Sequence, residues 1–177
     1  MLFYQVCFLL FIDSLFYSFL LTIFLIDLGM VLAESAILET ESSEKHRLFT
    51  EANEKFSASV NLKDDDPHSL VMWGDVLINQ TIYDPEVSTL QLLDDAIQLS
   101  LKAESLNRGM GAVNIARASA LQGHANVAKK WLLHADVTNN LPPAEALLND
   151  PAFRHIPTDW LHEIVTKEEL ADSVQSC

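Results

Sequence analysis

Small residues recur at helical spacing on both sides of a glycine between residues 112 and 137. The stretch ARASALQGHANVAKKWL covers residues 116–132 and places Gly123 between two alanine-rich segments. The spacing of three and four residues predicts one helix over about 112–122 and a second over about 125–137. Small side chains on facing stripes let two helix axes approach closely, and a glycine between them permits a tight reversal. The pattern therefore predicts a closely packed pair of antiparallel helices.

Three earlier segments have the same periodicity. Their apolar and small positions are Phe49, Ala52, Phe56, Ser59 and Leu62 in the first segment, Leu70, Trp73, Gly74 and Leu77 in the second, and Leu92, Ala96, Leu99, Ala103 and Leu106 in the third. Pro67 disfavours helix at the residue before it and suits the first turn of the helix that follows. Gly74 would cost its helix about 1 kcal/mol relative to alanine, so we expect it to serve close helix packing. With few glycines in the chain as a whole, the sequence predicts an all-α fold.

Composition and motifs exclude several kinds of function. The 25 acidic and 11 basic residues give a formal net charge of -14, which repels phosphate backbones and argues against a nucleic-acid partner. Cys7 and Cys177 support neither a disulfide framework nor a metal knuckle. The chain has no glycine-rich phosphate loop, nucleophile elbow or Cys/His dyad, and its histidines are predicted to be exposed or hydrogen-bonded at the surface. The sequence therefore predicts no enzyme, no cofactor and no metal site.

The acidic turn Asp64-Asp65-Asp66 allows two interpretations, a calcium site and a helix cap. It lacks the glycine and the closing glutamate of a calcium-binding loop. Acidic residues are also favoured at the position that precedes a helix, where the carboxylate accepts hydrogen bonds from free backbone N–H groups. We therefore predict a solvated, helix-capping turn.

The first 33 residues form an apolar leader. Residues 1–33 contain no Lys or Arg, and Asp13 and Asp27 are their only charged residues, in a segment long enough to cross a bilayer. A transmembrane helix is the leading interpretation. A cleaved secretory signal ending at Ala33 is one alternative, although it would lack a basic start and be unusually long. A misassigned start of the sequence is the other.

The basic residues that flank the leader predict its orientation. Lys45, His46 and Arg47 follow the apolar segment and none precedes it, so the positive-inside rule places the C-terminal domain in the cytosol. The two alternatives for the leader would instead give a soluble cytoplasmic or a secreted protein. The sequence thus predicts a membrane-anchored chain with its helical domain in the cytosol.

The helical region resembles the tetratricopeptide repeat, a helix-turn-helix unit of about 34 residues with small and large apolar residues at fixed positions. One unit matches at Ala116, Gly123, Ala128, Leu132 and Ala135, and another at Leu70, Trp73, Gly74, Leu77, Ala96 and Ala103. Ala52, Phe56, Ser59 and Leu62 resemble the second helix of a truncated preceding unit. The resemblance covers residues 47–140 and implies antiparallel repeats stacked as a short right-handed α-solenoid.

The repeat interval departs from that of the family. Ala52 and Ala96 are 44 residues apart, whereas Ala96 and Ala128 are 32 apart. We expect the extra residues of the first interval to enlarge one inter-helix turn, from Asn79 to Pro85. The whole chain then divides into the leader at 1–33, a polar linker at 34–46, the repeats at 47–140, and a capping segment with tail at 141–177.

The capping segment carries its own apolar positions. They are Phe153, Ile156, Trp160 and Ile164, after Asp150-Pro151. Segments of this kind close many repeat arrays by covering the exposed apolar face of the last repeat. Trp73, Trp131 and Trp160 are accordingly predicted to be core or capping residues rather than surfaces for a ligand.

In this family a partner segment lies in a concave groove lined by the first helix of each unit. The matching residues here are His68, Val71, Asp75, Ile78, Val113, Asn114, Arg117 and Ala120. Val71 and Asp75 stand where members that grip C-terminal carboxylates present Lys and Asn, which speaks against that ligand. Asp75 facing Arg117 would orient a basic or mixed-charge partner by hydrogen bonds. The alternative is that Val71, Val113 and Ala120 only pack against neighbouring helices and that Arg117 is solvated. The resemblance implies a non-catalytic protein-protein interaction module; a fragment or degenerate copy of a larger repeat protein, with a structural role only, is the alternative.

Overall fold

The protein is mostly helical. The computed structural model describes residues 2–157, 159 and 161–164, with side chains from residue 16 onward, and no strand occurs among them. The helices are α1 (Leu2–Leu38), α2 (Ser42–Leu62), α3 (Pro67–Tyr83), α4 (Thr89–Leu106), α5 (Ala112–Leu121), α6 (Ala125–Val137) and α7 (Ala144–Asn149), followed by a 3-10 turn at Pro151–Phe153. The predicted all-α class is confirmed.

Local sequence signals set several helix boundaries. The side chain of Asp66 accepts a hydrogen bond from the Ser69 backbone N–H at 2.9 Å, and Pro67 occupies the first turn of α3. Gly109 and Gly123 have φ angles of 90° and 82°, which favour glycine, and they lie in the turns before α5 and α6. The predicted capping role of the acidic turn is therefore confirmed at Asp66.

The helices pack as pairs that are consecutive in the chain. α1 packs on α2, α3 on α4, and α5 on α6, while α2 contacts α3 and α4 contacts α5. The first helices of the pairs, α1, α3 and α5, also contact one another in chain order. A Cβ at Gly74 would lie 2.9 Å from Ser100 Oγ and 3.4 Å from Asn114 Nδ2, so this glycine sits where α3 meets α4 and α5. Its predicted role in close packing is confirmed.

The C-terminal half of α1 supplies the first helix of the first pair. Ile26, Ala33 and Ala36 are buried in one cluster with residues of α2, among them Phe49 and Phe56. The sequence predicted that the unit containing α2 is truncated, and this prediction is wrong. The prediction failed because the apolar leader, although its composition resembles that of a membrane span, also carries a stripe of mostly small residues that packs on α2.

Two predicted connections are helical in the structure. Residues 34–46, expected to be a polar linker, belong to α1 and α2 except for residues 39–41, because Ala36 is buried against α2 and Glu41 caps the start of α2. Residues 79–83, expected to open an enlarged turn, continue α3. Gln80 is buried within this helical segment. The longer interval between Ala52 and Ala96 comes largely from the 17 residues of α3 against the 10 of α5.

The segment after α6 folds back on the last pair. Leu147, Phe153, Ile156, Leu161 and Ile164 are buried in one cluster with Ala116, Ala120, Ala128 and Leu132 of α5 and α6. Trp160, which was predicted to belong to this cap, lies outside the described residues. The alanine-rich faces of α5 and α6 are thus covered by larger apolar side chains from the C-terminal segment.

Within the described residues, the segment Phe16–Leu38 of α1 is long and apolar enough to cross a membrane. Its mean hydropathy is 2.1, and 22% of it is buried in the protein. These are the length and composition of a membrane span or of an N-terminal signal sequence.

Candidate functional site

A buried arginine joins α3 to α5 at the centre of the predicted groove. Arg117 of α5 donates hydrogen bonds to the carboxylate of Asp75 and, at 2.9 Å, to Asn79 Oδ1, both on α3. Next to it, Asn114 Nδ2 donates to the backbone oxygen of Val71 at 2.8 Å. Asp75 therefore does face Arg117, but their contact is an internal link between two helices.

The capping segment adds a second carboxylate to the same arginine. Asp150 Oδ2 lies 2.7 Å from Arg117 Nε, in an ion pair that is not aligned as a hydrogen bond. The Asp150 side chain also accepts a hydrogen bond from the Ala152 backbone N–H at 2.9 Å, which fixes the turn that follows. The Arg117 side chain is 10% exposed. Its positive charge, which was predicted to contact a partner, is therefore paired with acidic residues of the same chain.

The eight predicted groove residues divide by exposure. Ile78, Asn114, Arg117 and Ala120 are buried, Val71, Asp75 and Val113 are half-buried, and His68 is exposed. The buried residues hold α3 and α5 together. The other four are the part of the predicted groove that a partner can reach.

A chain of side-chain hydrogen bonds joins α2 to α3 on the far side of this contact. Trp73 Nε1 donates to Asn53 Oδ1 at 3.2 Å, and Asn53 Nδ2 donates to Gln80 Oε1 at 2.7 Å. Gln80 Nε2 donates to Asp84 Oδ2 at 3.2 Å, and His46 Nδ1 lies 2.8 Å from the same oxygen. This series of hydrogen bonds fixes the register of α2 on α3 and the orientation of the Trp73 indole.

Asp84 is the buried acceptor at the end of this chain. Its side chain is fully buried, which by itself would raise the pKa of the carboxyl group. Hydrogen bonds from the Glu86 backbone N–H, from His46 and from Gln80 outweigh the burial, and the pKa lies below its ordinary value. Asp84 is thus held as a carboxylate by its donors.

An apolar cleft opens between α2 and α4, with α3 as its floor. Its volume is about 490 Å³, and its apolar lining residues are Trp73, Leu77, Leu92 and Leu99. Polar side chains at its rim are Asn53, Asp95, Gln98 and Lys102. Leu92 and Leu99 are half-buried because the residues of α4 that fill the helix contacts are instead Leu93, Ala96, Ser100 and Ala103. The cleft therefore presents large apolar side chains that no other described segment covers.

Sequence reasoning missed this cleft. It assigned Leu92 and Leu99 to one core stripe together with Ala96, and it predicted Trp73 to be a core or capping residue. One sequence signal distinguishes the packed residues of α4 from those that line the cleft. Ala96, Ser100 and Ala103 are small and spaced by four and three, which marks the face that contacts another helix.

A second cleft lies between α4 and α6. Its lining residues are Glu104, Arg108, Lys130, Trp131 and His134. Glu104 accepts hydrogen bonds from the backbone N–H groups of Gly109 and Gly111, at 2.7 and 3.2 Å, and lies 2.7 Å from His134 Nε2. One carboxylate thus ties the turn before α5 to α6. Like His46, His134 is hydrogen-bonded to an acid, as predicted for the surface histidines.

The described surfaces suit binding by apolar contact with a polar rim. The carboxylates of Asp75, Asp84, Glu104 and Asp150 are each occupied by partners within the chain. No protein-family model, curated protein or solved structure matches this chain. The function is therefore inferred from the shape and charge of the described surfaces.

Proposed function

We propose that this chain is a non-catalytic protein-protein interaction module made of tetratricopeptide-like helix pairs. The pairs α1–α2, α3–α4 and α5–α6, with their first helices in mutual contact, support a stacked arrangement such as a short right-handed α-solenoid. The observation that carries the binding role is the open apolar cleft at Trp73. Its partner is a segment of another protein, and the domain is tethered to a membrane, in the cytosol, through α1.

The chemistry of the cleft specifies what that segment must present. Leu92, Leu99 and the Trp73 ring form an apolar surface in a concave site, which suits one or two large apolar side chains of a partner. Asp95 is exposed at the rim and Glu54 lines the adjoining hollow, in a chain with a formal net charge of -14. The partner segment should therefore carry a basic or mixed charge beside its apolar anchor.

The predicted groove is the second candidate surface of the same module. His68, Val71, Asp75 and Val113 remain accessible there. A substitution of Arg117 would not test partner binding at this surface, because it would also remove a buried link between α3, α5 and the capping segment. Exposed His68 is the better probe, since it lies in the first turn of α3.

Site-specific photocrosslinking in cells distinguishes the two surfaces. A photoreactive residue is placed in the full chain at Asp95 for the cleft, at His68 for the groove, and at Ser105 as the control. All three are exposed, and Ser105 lies on α4 with Asp95 but outside the cleft. We expect a discrete adduct from position 95 that is absent from position 105. An adduct from position 68 alone would move the binding site to the groove.

The identified partner is then purified for an affinity measurement. We expect Leu99→Gln to weaken binding at least about tenfold, because it places an unpaired amide in the apolar cleft. Leu101→Gln, on the same helix and exposed, is the matched control and should leave the affinity unchanged. Equal adducts from all three positions, or no adduct from any, would contradict the proposed interaction module and favour a structural role only.

A further inference from the structure

The two halves of α1 have different surroundings. In the C-terminal half, Ile26, Gly29, Ala33 and Ala36 follow one another at spacings of three and four and are buried against the folded domain. The opposite face of that half is polar in places: Asp27, Glu34 and Ser35 are exposed. This half has the pattern of an ordinary helix at the surface of a water-soluble domain.

The preceding turns of α1 expose large apolar side chains around more than half of the helix. The exposed large side chains, each at least 40% accessible, are Phe16, Tyr17, Phe19, Leu20, Leu21, Ile23 and Phe24. Successive residues of a helix are rotated by about 100°, so these residues span about 200° of the helix surface, and Ser18 and Thr22 occupy the remaining face beside Leu62 and Lys63 at the end of α2. Another protein surface would cover one side of it. Lipid acyl chains can contact the whole of such a wide exposed arc, and they are the occupant that fits this segment.

The span must lie before Ile26. If a membrane span instead ran from Phe16 to Leu38, α2 would be carried into the hydrocarbon beside it, since the two helices pack along the C-terminal half of α1. Helix α2 contains Glu44, Lys45, Arg47, Glu51, Glu54 and Lys55. Each charged residue at the centre of a bilayer costs about 2.5–3.5 kcal/mol on insertion scales, so this placement is excluded.

The N-terminal part of α1 has the required length. Residues 2–20 belong to one unbroken helix, and at 1.5 Å per residue they extend about 28 Å, close to the thickness of the hydrocarbon core. Asp13 is the charged residue in this range. Its insertion cost is offset by the Leu, Ile, Phe and Val residues that make up most of the range, each contributing about -0.3 to -0.6 kcal/mol.

The end of α2 marks the level of the membrane surface. Leu62 and Lys63 line a small cleft with Ser18, Phe19 and Thr22 of α1. Leu62 is partly exposed, and a lysine at this level can extend its ammonium group to the headgroups. Thr22, although buried, bonds its hydroxyl to Ser18 O at 2.9 Å, so it leaves no free donor there.

We propose that residues 2–24 are inserted in the bilayer and continue without a break as the first helix of the first pair. The hydrocarbon ends near residue 20, and residues 21–24 lie in the headgroup layer beside Leu62 and Lys63. The helical domain is then held directly on the membrane in one orientation, with no flexible linker. This inference rests on the membrane tether of the proposed function and replaces a span over residues 1–33 by a shorter one.

Two exposed apolar positions of α1 test the boundary. Leu20 (45% exposed) falls inside the proposed span, whereas Val31 (58% exposed) lies beyond it, one turn from both Asp27 and Ser35. Single variants Leu20→Cys and Val31→Cys are made in a full-length Cys7→Ser, Cys177→Ser background, labelled with an environment-sensitive fluorophore and reconstituted into phosphatidylcholine vesicles. We expect a lipid-borne spin label to quench position 20, and aqueous iodide to quench position 31.

Each other outcome contradicts the proposal in a distinct way. Lipid quenching at both positions would place the span further along α1, and iodide quenching at both would show that α1 is not inserted. Quenching of position 20 by neither reagent would show that a second protein surface covers it. An intact mass lacking residues 1–33 would identify a cleaved signal. The vesicles contain no partner protein, so these results are independent of the photocrosslinking test.

Discussion

Gly29 of α1 lies against the ring of Phe56 of α2, where a Cβ at residue 29 would stand 2.7 Å from the ring carbon Cε2. Phe56 is fully buried, so its ring has no space into which to move. The absence of a side chain at residue 29 is thus a condition for the first helix pair. It makes α1 a part of the folded core as well as a candidate anchor.

We therefore expect Gly29→Val to lower the free energy of unfolding by about 1–3 kcal/mol through overpacking. The thermal midpoint of the full chain in mild detergent, followed by circular dichroism, should fall by several degrees. Ser35→Val is the matched control, because Ser35 is exposed on the same helix. Equal midpoints for the two variants would mean that α1 does not pack on α2.

Gly111 and Gly123 are required for different reasons, the first for lack of space and the second for its backbone conformation. A Cβ at Gly111 would lie 2.0 Å from the backbone oxygen of Ser100, whereas one at Gly123, whose φ is 82°, would meet nothing within 4 Å. We expect Gly111→Ala to cost about 3 kcal/mol, since helix α4 must move. Gly123→Ala should cost about 1 kcal/mol, from the left-handed backbone alone. Urea unfolding of both variants gives the ranking, and the reverse order would refute it.

Arg117→Met should destabilise the fold by about 2–4 kcal/mol. It leaves the partly buried carboxylates of Asp75 and Asp150 without their cation. Arg117→Lys should recover little of this, because one ammonium group cannot reproduce the fork that reaches two acids and Asn79. Chemical denaturation measures both. Arg108→Met, at an exposed arginine, is the same substitution without a buried partner and should change stability by less than about 0.5 kcal/mol.

Acid should weaken the fold in part through Asp84. Its pKa in the folded protein lies below the unfolded value, so the carboxylate contributes stability above the unfolded pKa and loses it as the pH falls through the folded one. Asp84→Asn removes that contribution. We expect the variant to be less stable at pH 7, and the difference from the natural chain to shrink as the pH is lowered through the acid range. A difference that stays constant with pH would contradict the role given to this carboxylate; Asp65→Asn controls for the loss of one charge.

Much of the helical organisation could be predicted from the sequence, because it follows from local signals. The spacing of small residues with Gly123 predicts α5 and α6, and Pro67 with its preceding acidic residue predicts the start of α3. The role of α1 could not be found in this way. The sequence of the leader is rich in apolar residues throughout, and these conceal the stripe of Ile26, Gly29 and Ala33 that packs on α2.

The polar contacts were predictable only in part. Asp75 and Arg117 occupy matching positions of the two predicted units, so the sequence predicts their approach. Asp150 comes from the segment after α7, which has no fixed spacing to the helix pairs, and its ion pair with Arg117 depends on how that segment folds back. The cleft at Trp73 depends on the space between α2 and α4, which is a property of three-dimensional packing.

The three residues between α1 and α2 bear on how the chain is made. Helices that are neighbours in sequence meet by closing short loops, which costs little entropy and favours fast assembly. The first hairpin can therefore close while the ribosome is still adding the later ones, and each new hairpin docks on a finished neighbour. The ion pair between Asp150 and Arg117 can form only after synthesis has passed the last helix pair and reached the capping segment.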